Sequence, residues 1–435
     1  MRGDDRGDEP VPSDGTGHPS EDAVGATGAA GRSHDAERRA DGSGADATTP
    51  ATAHLSERAL NTPPSGIRRF FELAEEMDDV ISLGVGEPDF SAPWAARTAA
   101  IDSLERGRTS YTSNRGRREL RERIAAHVRR YDLDYDPDEE VLVTTGASEA
   151  TDLAFRALVD PGDVVAVHQP TYISYVPGVQ FAGGEALAVP THAGNDFRLT
   201  PADLYEAGAD EADVLVCCYP NNPTGATMDR TDLAAVADFA REHDLFVIAD
   251  EIYAALTYEG EHTSIATLPG MRQRTVVLNG FSKAYAMTGL RLGYALGPPE
   301  VVEAMNRIHQ YTMLSAPTTA QYAAIEALRS CDDEVEEMRR QYDRRRRFVV
   351  SRFNEMGLDC FEATGAFYAF PAVDGDDEAF AEGLLEAEEV AVVPGRVFGE
   401  GGRGHLRVSY ATGMGDLKEA MDRIERFVDD HWTGR

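Results

Sequence analysis

Lysine is almost missing from this chain of 435 residues: Lys283 and Lys418 are the two, and the other forty of its 42 basic residues are arginine. Positive charge of any kind is scarce. Against 76 acidic residues the formal net charge is −34, a balance that repels nucleic-acid phosphates and anionic membranes in the absence of a local basic patch, and no such patch occurs. Neither nucleic acid nor membrane is therefore an expected partner. Cysteine is also sparse. Cys217, Cys218, Cys331 and Cys360 are too few for a disulfide framework in a chain this long, and none stands in a CxxC pair, so no metal site is expected and a reducing compartment is. No apolar run approaches the roughly 18 residues of a membrane span. The opening MRGDDRGDEP lacks the basic-then-apolar order of an export signal, and a cytoplasmic location is expected.

Large aliphatic residues are rare over residues 1–54, where Gly, Ala, Asp, Ser, Thr and Pro dominate and five arginines face eleven acids. Such a segment buries too little surface to offset chain entropy and is expected to be a disordered acidic extension. Its two Arg-Gly-Asp triplets follow from that composition. Removing it leaves a charge of −28 on the remainder, so the acidity belongs to the whole protein. An acidic, lysine-poor surface suits concentrated salt, where screening shortens repulsion to about 3 Å at 1 M, and a halophilic habitat is expected.

From Leu55 onward the pattern is one of ordered elements. A helix opening near Ile67 and continuing over Glu72–Asp79 precedes a short strand at Val80–Leu83. Val141–Thr145, Val164–Val167, Val214–Cys218, Phe246–Ala249 and Thr275–Leu278 read as strands alternating with helices such as Ala147–Leu158. That alternation indicates an α/β fold with a mainly parallel sheet and helices on both faces. The last third reads differently. Helices at Glu300–Gln310, Thr318–Ser330 and Asp333–Met356 lead into strands near Phe367–Val373, Ala391–Val393 and Leu406–Tyr410 and a closing helix, Met414–Val428. A smaller α+β domain is expected there. The division is an arm and start of the small domain over residues 55–85, a large domain over 86–310, and an interdomain helix and small domain over 311–435.

Candidate chemistry gathers at the ends of these strands, where open α/β sheets bind ligands. Thr145-Gly146-Ala147-Ser148 joins a strand to a helix, so the amides there and the Ser148 hydroxyl can hold a phosphate. Asn222 lies in an Asn-Pro-Thr-Gly turn, and Asp250 and Tyr253 place an acid and a phenol after the next strand. Lys283 follows Phe281-Ser282, flanked by small and aromatic residues. A lysine retained there, in a chain that otherwise uses arginine, does what guanidinium cannot: lose its proton and form a Schiff base. Lys418, among acids on a helical period, reads as a solvated surface residue.

In order and spacing, Gly86-Glu87-Pro88-Asp89-Phe90, Tyr111 before Glu119-Leu120-Arg121, Gly146-Ala147-Ser148, Asn222-Pro223-Thr224-Gly225, Asp250-Glu251-Ile252-Tyr253, Ser282-Lys283, Arg291-Leu292-Gly293-Tyr294 and Arg407-Val408-Ser409-Tyr410 resemble the class I aminotransferases. These are pyridoxal-phosphate enzymes of the aspartate aminotransferase fold, and the resemblance runs from about Ser56 to Val428. It implies transfer of an amino group between an α-amino acid and a 2-oxo acid in a ping-pong cycle, with a lyase or decarboxylase of the same fold as the alternative. It implies Lys283 as the residue that binds the cofactor and moves the substrate's α-proton, Asp250 at the pyridine nitrogen, and Tyr253 and Asn222 at the phenolic oxygen. Tyr172 would stack on the ring. Gly146, Ala147, Ser148, Ser282 and Arg291 would hold the phosphate, joined by Tyr111 from a second subunit, which implies a homodimer with shared active sites. Arg407 would clamp the substrate carboxylate, with Gly86, Tyr172 and Asn222 beside it. Three positions depart from the family pattern. Gly280 stands where relatives commonly place Ser, three residues before the lysine, and Tyr172 stands where some carry Trp. Arg115 adds charge near Tyr111, where it reads as a surface arginine rather than the reader of a substrate carboxylate.

Overall fold

The computed structural model describes residues 54–64, 66–67 and 79–432. The acidic extension, apart from His54, and residues 68–78 of the expected first helix lie outside the described residues.

Seven strands form the main sheet. They are β2 (Val141–Thr144), β3 (Val164–Gln169), β4 (Glu185–Pro190), β5 (Val214–Cys218), β6 (Phe246–Asp250), β7 (Thr275–Gly280) and β8 (Gly293–Leu296), after a two-residue β1 (Ile81–Ser82). Their order across the sheet is β2-β8-β7-β6-β5-β3-β4. All run parallel except β8, which is antiparallel to both β2 and β7. The five β-branched runs of the sequence are all strands here. β4 and β8 carry no such run: β4 is an Ala-containing edge strand, and Gly-Tyr-Ala-Leu holds its place through pairing on both sides.

Alternation along the strands divides the core in two, because successive side chains point to opposite faces. On one face Val141, Val143, Leu215, Val247 and Val277 meet Leu120, Ile124, Val236 and Ala323. On the other, Leu142, Val165, Val216, Ile248 and Leu278 meet Leu153, Phe155, Val179 and Met305. The helices behind these contacts are α1 (Arg118–Val128), α2 (Ala147–Leu158), α3 (Tyr175–Ala182), α4 (Arg230–Glu242), α5 (Pro299–Thr312) and α6 (Thr318–Ser330).

A third core surrounds a three-stranded antiparallel sheet of β9 (Tyr368–Ala369), β11 (Val393–Pro394) and β12 (Leu406–Ser409), in the order β11-β12-β9. It takes Tyr342, Val349 and Phe353 from the long helix α7 (Asp332–Glu355), with Phe380, Leu384, Ile424 and Phe427. β10 (Val390–Ala391) pairs in parallel with β1. All four cysteines are free and buried. Among the described residues, no helix is long and apolar enough to cross a membrane.

Candidate active site

A cavity of about 490 Å³ opens where β5, β6 and β7 end. Eleven of the thirteen candidate residues line it: Gly86, Ala147, Ser148, Tyr172, Asn222, Asp250, Tyr253, Ser282, Lys283, Arg291 and Arg407. Parallel strands bring this about, because their carboxyl ends converge while the loops after them stay free to vary. Gly146 lies directly behind the lining. Tyr111 does not line the cavity and is 81% exposed.

Lys283 follows β7, and its Nζ donates to the carbonyl of Gly86 at 2.6 Å. Burial first, and then the nearby Arg407 guanidinium, lower its pKa to about 8, against the opposing pull of Glu87 and Asp250. An amine with a pKa near neutrality is a far better nucleophile at physiological pH than an ordinary lysine.

Asp250 ends β6 and is almost wholly buried. Burial raises its pKa, but the Tyr175 hydroxyl donates to Oδ2 at 2.7 Å and the Ile252 amide to Oδ1 at 3.1 Å, and both favour the carboxylate. Tyr253 places its hydroxyl 2.9 Å from that of Tyr368, and burial pushes its pKa well above the ordinary value.

Arg407, on β12, reaches across from the small sheet. Its Nη1 donates to Asn222 Oδ1 at 3.0 Å and its Nη2 to the Gly84 carbonyl at 2.5 Å. The guanidinium lies over the rings of Tyr368 and Phe398. Among the described residues, its Nε is buried without a hydrogen-bond partner.

The turn before α2 needs its glycines. Gly146 sits at φ +81°, a left-handed conformation that favours glycine, and a Cβ there would stand 2.7 Å from Nη2 of Arg291. A Cβ on Gly293 would stand 2.4 Å from the Ala147 nitrogen. Backbone and guanidinium therefore close on one point, at a helix end whose first N–H groups have no partner within the helix. Gly280 has a packing reason as well: a Cβ there would meet the Gly293 Cα and the Leu292 carbonyl at 3.0 Å. Arg115 bonds Glu303 at 2.5 Å and the Glu139 carbonyl at 3.0 Å, and it does not line the cavity.

Two contributors lie outside the sequence motifs. Tyr175, three residues after Tyr172, carries a weak signal in its spacing. Tyr368 carries none beyond its place on β9, in register with Ser409.

The sequence model for aminotransferase class I and II matches residues 78–424. The chain belongs to this family. A putative aminotransferase of Bacillus subtilis (strain 168), YugH, is 50% identical over 381 residues, 87% of this chain and 99% of the relative. An aspartate aminotransferase of Pyrococcus abyssi is 43% identical over 384 residues, 86% of this chain and 98% of the relative. The crystal structure of an aromatic aminotransferase from Pyrococcus horikoshii superposes with a TM-score of 0.79 at 42% identity, covering 83% of this chain and 99% of that one. The protein is an aminotransferase with the α/β fold of the aspartate aminotransferases, and its cofactor is pyridoxal phosphate. These relatives support transamination over the lyase or decarboxylase alternative.

The cavity suits that cofactor chemically. A cradle that a Cβ would fill, an arginine over it, a buried carboxylate, a depressed lysine and an unpartnered arginine nitrogen form a donor set for a phosphorylated, basic ring and an anionic substrate.

Proposed function

We propose that this aminotransferase takes the amino group of an α-amino acid, aspartate among its donors, and delivers it to a 2-oxo acid in a ping-pong cycle. The observation that carries this reading is the meeting of Lys283 and Arg407 in one cavity, the first as a depressed amine, the second as a buried cation with a free donor. Likeness to the aspartate aminotransferase of Pyrococcus abyssi favours aspartate.

Pyridoxal phosphate, when bound, supplies a carbonyl that condenses with amines and a ring that accepts electrons. In our reading the amides of Ala147 and Ser148, the Ser282 hydroxyl and Arg291 hold its phosphate around the Gly146 turn. Asp250 would face the pyridine nitrogen and favour its protonated form, since a neighbouring carboxylate raises the pKa of a base. Asn222 and Tyr253 would bond the phenolic oxygen, and Tyr172 would stack on the ring. Lys283 takes the proton from the substrate's α-carbon and returns it on the far side of the transfer, as general base and then acid. Arg407 pairs its fork with the α-carboxylate, a geometry that lysine cannot copy. Glycine at position 86 lets the Tyr368 hydroxyl approach, since a Cβ there would sit 2.6 Å from it, and in our reading the substrate would lie beside this backbone.

The active unit in this proposal is a homodimer with shared sites, Tyr111 reaching in from a second subunit. The exposure of Tyr111, together with that of Tyr311, Met313 and Leu314, supports it. We further propose the division into an arm (55–85), a large domain (86–310) and a segment carrying the small domain (311–435). The β1–β10 ladder supports joining the arm to the small domain. A cytoplasmic location fits four free cysteines. A salt-adapted surface fits the charge of −34, and thermal stability that rises in molar potassium chloride is its test.

The donor is tested by a half-reaction screen. Each amino acid is mixed with the holoenzyme, and conversion to the pyridoxamine form and release of the oxo acid are measured together. Aspartate should yield oxaloacetate. Loss of aspartate without oxaloacetate would contradict the proposal.

A further inference from the structure

His309 lies on α5, is fully buried, and belongs to none of the motifs above. Its Nδ1 stands 2.7 Å from Oε1 of Glu149. A carboxylate only accepts, so Nδ1 carries the hydrogen. The other ring nitrogen, Nε2, is buried with no hydrogen-bond partner among the described residues. A leucine at this position, on the face of α5 that carries the buried Val302 and Met305, would strand no polar atom, and a stranded atom costs about 1–3 kcal/mol. The histidine is therefore retained at a cost, and among the described residues the one hydrogen bond of its ring goes to Glu149.

Glu149 occupies the first turn of α2, two residues after Ala147. Its second oxygen, Oε2, accepts the amide of Thr145 at 2.5 Å. The carboxylate thus closes the turn that forms the cradle, and it also brings a negative charge into the helix end that would receive a phosphate. The two effects oppose each other. An unrestrained carboxylate here competes with a phosphate for the same helix N-terminus.

We propose that His309 is a positioning residue for the phosphate cradle: by donating to Glu149 it holds that carboxylate against the Thr145 amide and offsets its charge, so that the turn stays closed without repelling the phosphate. The proposal rests on the reading of Ala147, Ser148 and Arg291 as the phosphate site.

The test uses the full-length protein and two probes, pyridoxal phosphate and inorganic phosphate as its competitor, with dissociation constants read by protein fluorescence. His309→Leu should weaken both by about tenfold, the scale of one hydrogen bond to a charged group. His309→Gln, which keeps an N–H donor, should lie within about threefold of the native protein. Adding Glu149→Gln to His309→Leu should restore affinity, because the uncompensated charge is gone while the Thr145 amide keeps its acceptor. A packing defect would not be restored in this way. Glu149→Gln alone should bind phosphate more tightly, which keeps the test open if His309→Leu fails to fold. Native affinity in His309→Leu, no restoration in the double variant, or equal or weaker phosphate binding in Glu149→Gln would each overturn the proposal. Arg291→Ala separates the two levels. If it loses phosphate affinity while His309→Leu does not, only the role of His309 falls; if it too keeps native affinity, the cradle itself has been misassigned.

Discussion

The hydroxyl of Tyr175 stands 2.7 Å from Oδ2 of Asp250, joining the first residue of α3 to the last residue of β6. Burial pushes the Asp250 carboxyl toward its neutral form, and this bond is the first of the interactions that hold it charged. Tyr175→Phe keeps the ring and removes the bond. Hydrogen bonds to charged groups contribute about 1.5–3 kcal/mol, so kcat should fall at least about tenfold with the fold intact. Steady-state kinetics beside a circular dichroism spectrum checks this, and native kcat would contradict it.

Lys283 makes the stability of the cofactor-free protein depend on pH. Its folded pKa of about 8 lies below the ordinary 10.5, so between these values the unfolded chain binds more protons than the folded one. The contribution of Lys283 to stability therefore rises with pH across that window. Lys283→Ala should be stabilised relative to the native cofactor-free protein at pH 7, and its advantage should shrink as pH climbs from about 8 toward 10.5. Denaturant titrations of both proteins at several pH values measure the difference; a constant difference would contradict the depressed pKa.

Gly293 is a packing requirement of the cradle. Adding a methyl places it 2.4 Å from the Ala147 nitrogen and 2.5 Å from the Gly146 carbonyl carbon, and overpacking of this kind costs about 1–3 kcal/mol. Gly293→Ala should lower the melting temperature and release the cofactor on dialysis. Gly194→Ala, away from the cavity and with nothing among the described residues within 4 Å of the new Cβ, is the matched control.

The proposed sharing of active sites between two subunits has a consequence that neither variant alone displays. Tyr111→Ala and Lys283→Ala should each be impaired, the second completely. A hybrid of the two would assemble one site with a native lysine from one chain and a native tyrosine from the other. Mixing the two under subunit exchange should create activity beyond that of Tyr111→Ala alone. No gain on mixing, with exchange verified by mass, would contradict the sharing.

Much of the sheet is legible in the chain because buried parallel strands need β-branched runs, and Val141–Thr144, Val214–Cys218 and Thr275–Gly280 supply them. β4 and β8 escape such reading, since one is an edge strand and the other owes its place to two neighbours. The candidate site is legible for a related reason: Asp250 ends a strand, and Asn222 and Lys283 each follow one closely, so local sequence fixes their position. Tyr175 and Tyr368 act through contacts made across 75 and 115 residues of chain, which local pattern signals weakly for the first and not at all for the second. His309 is more remote still, 160 residues from Glu149. Arg407 was found by motif, yet its unpartnered Nε could be seen only in the folded cavity.

The central claim is that Lys283 is the residue to which the cofactor attaches, and one measurement tests it most directly. Purified holoenzyme is reduced with borohydride, digested, and the pyridoxyl mass is mapped by tandem mass spectrometry. The account predicts the label on the peptide containing Lys283, with none on Lys418. A label on Lys418 or on the amino terminus, with Lys283 unmodified, would contradict it.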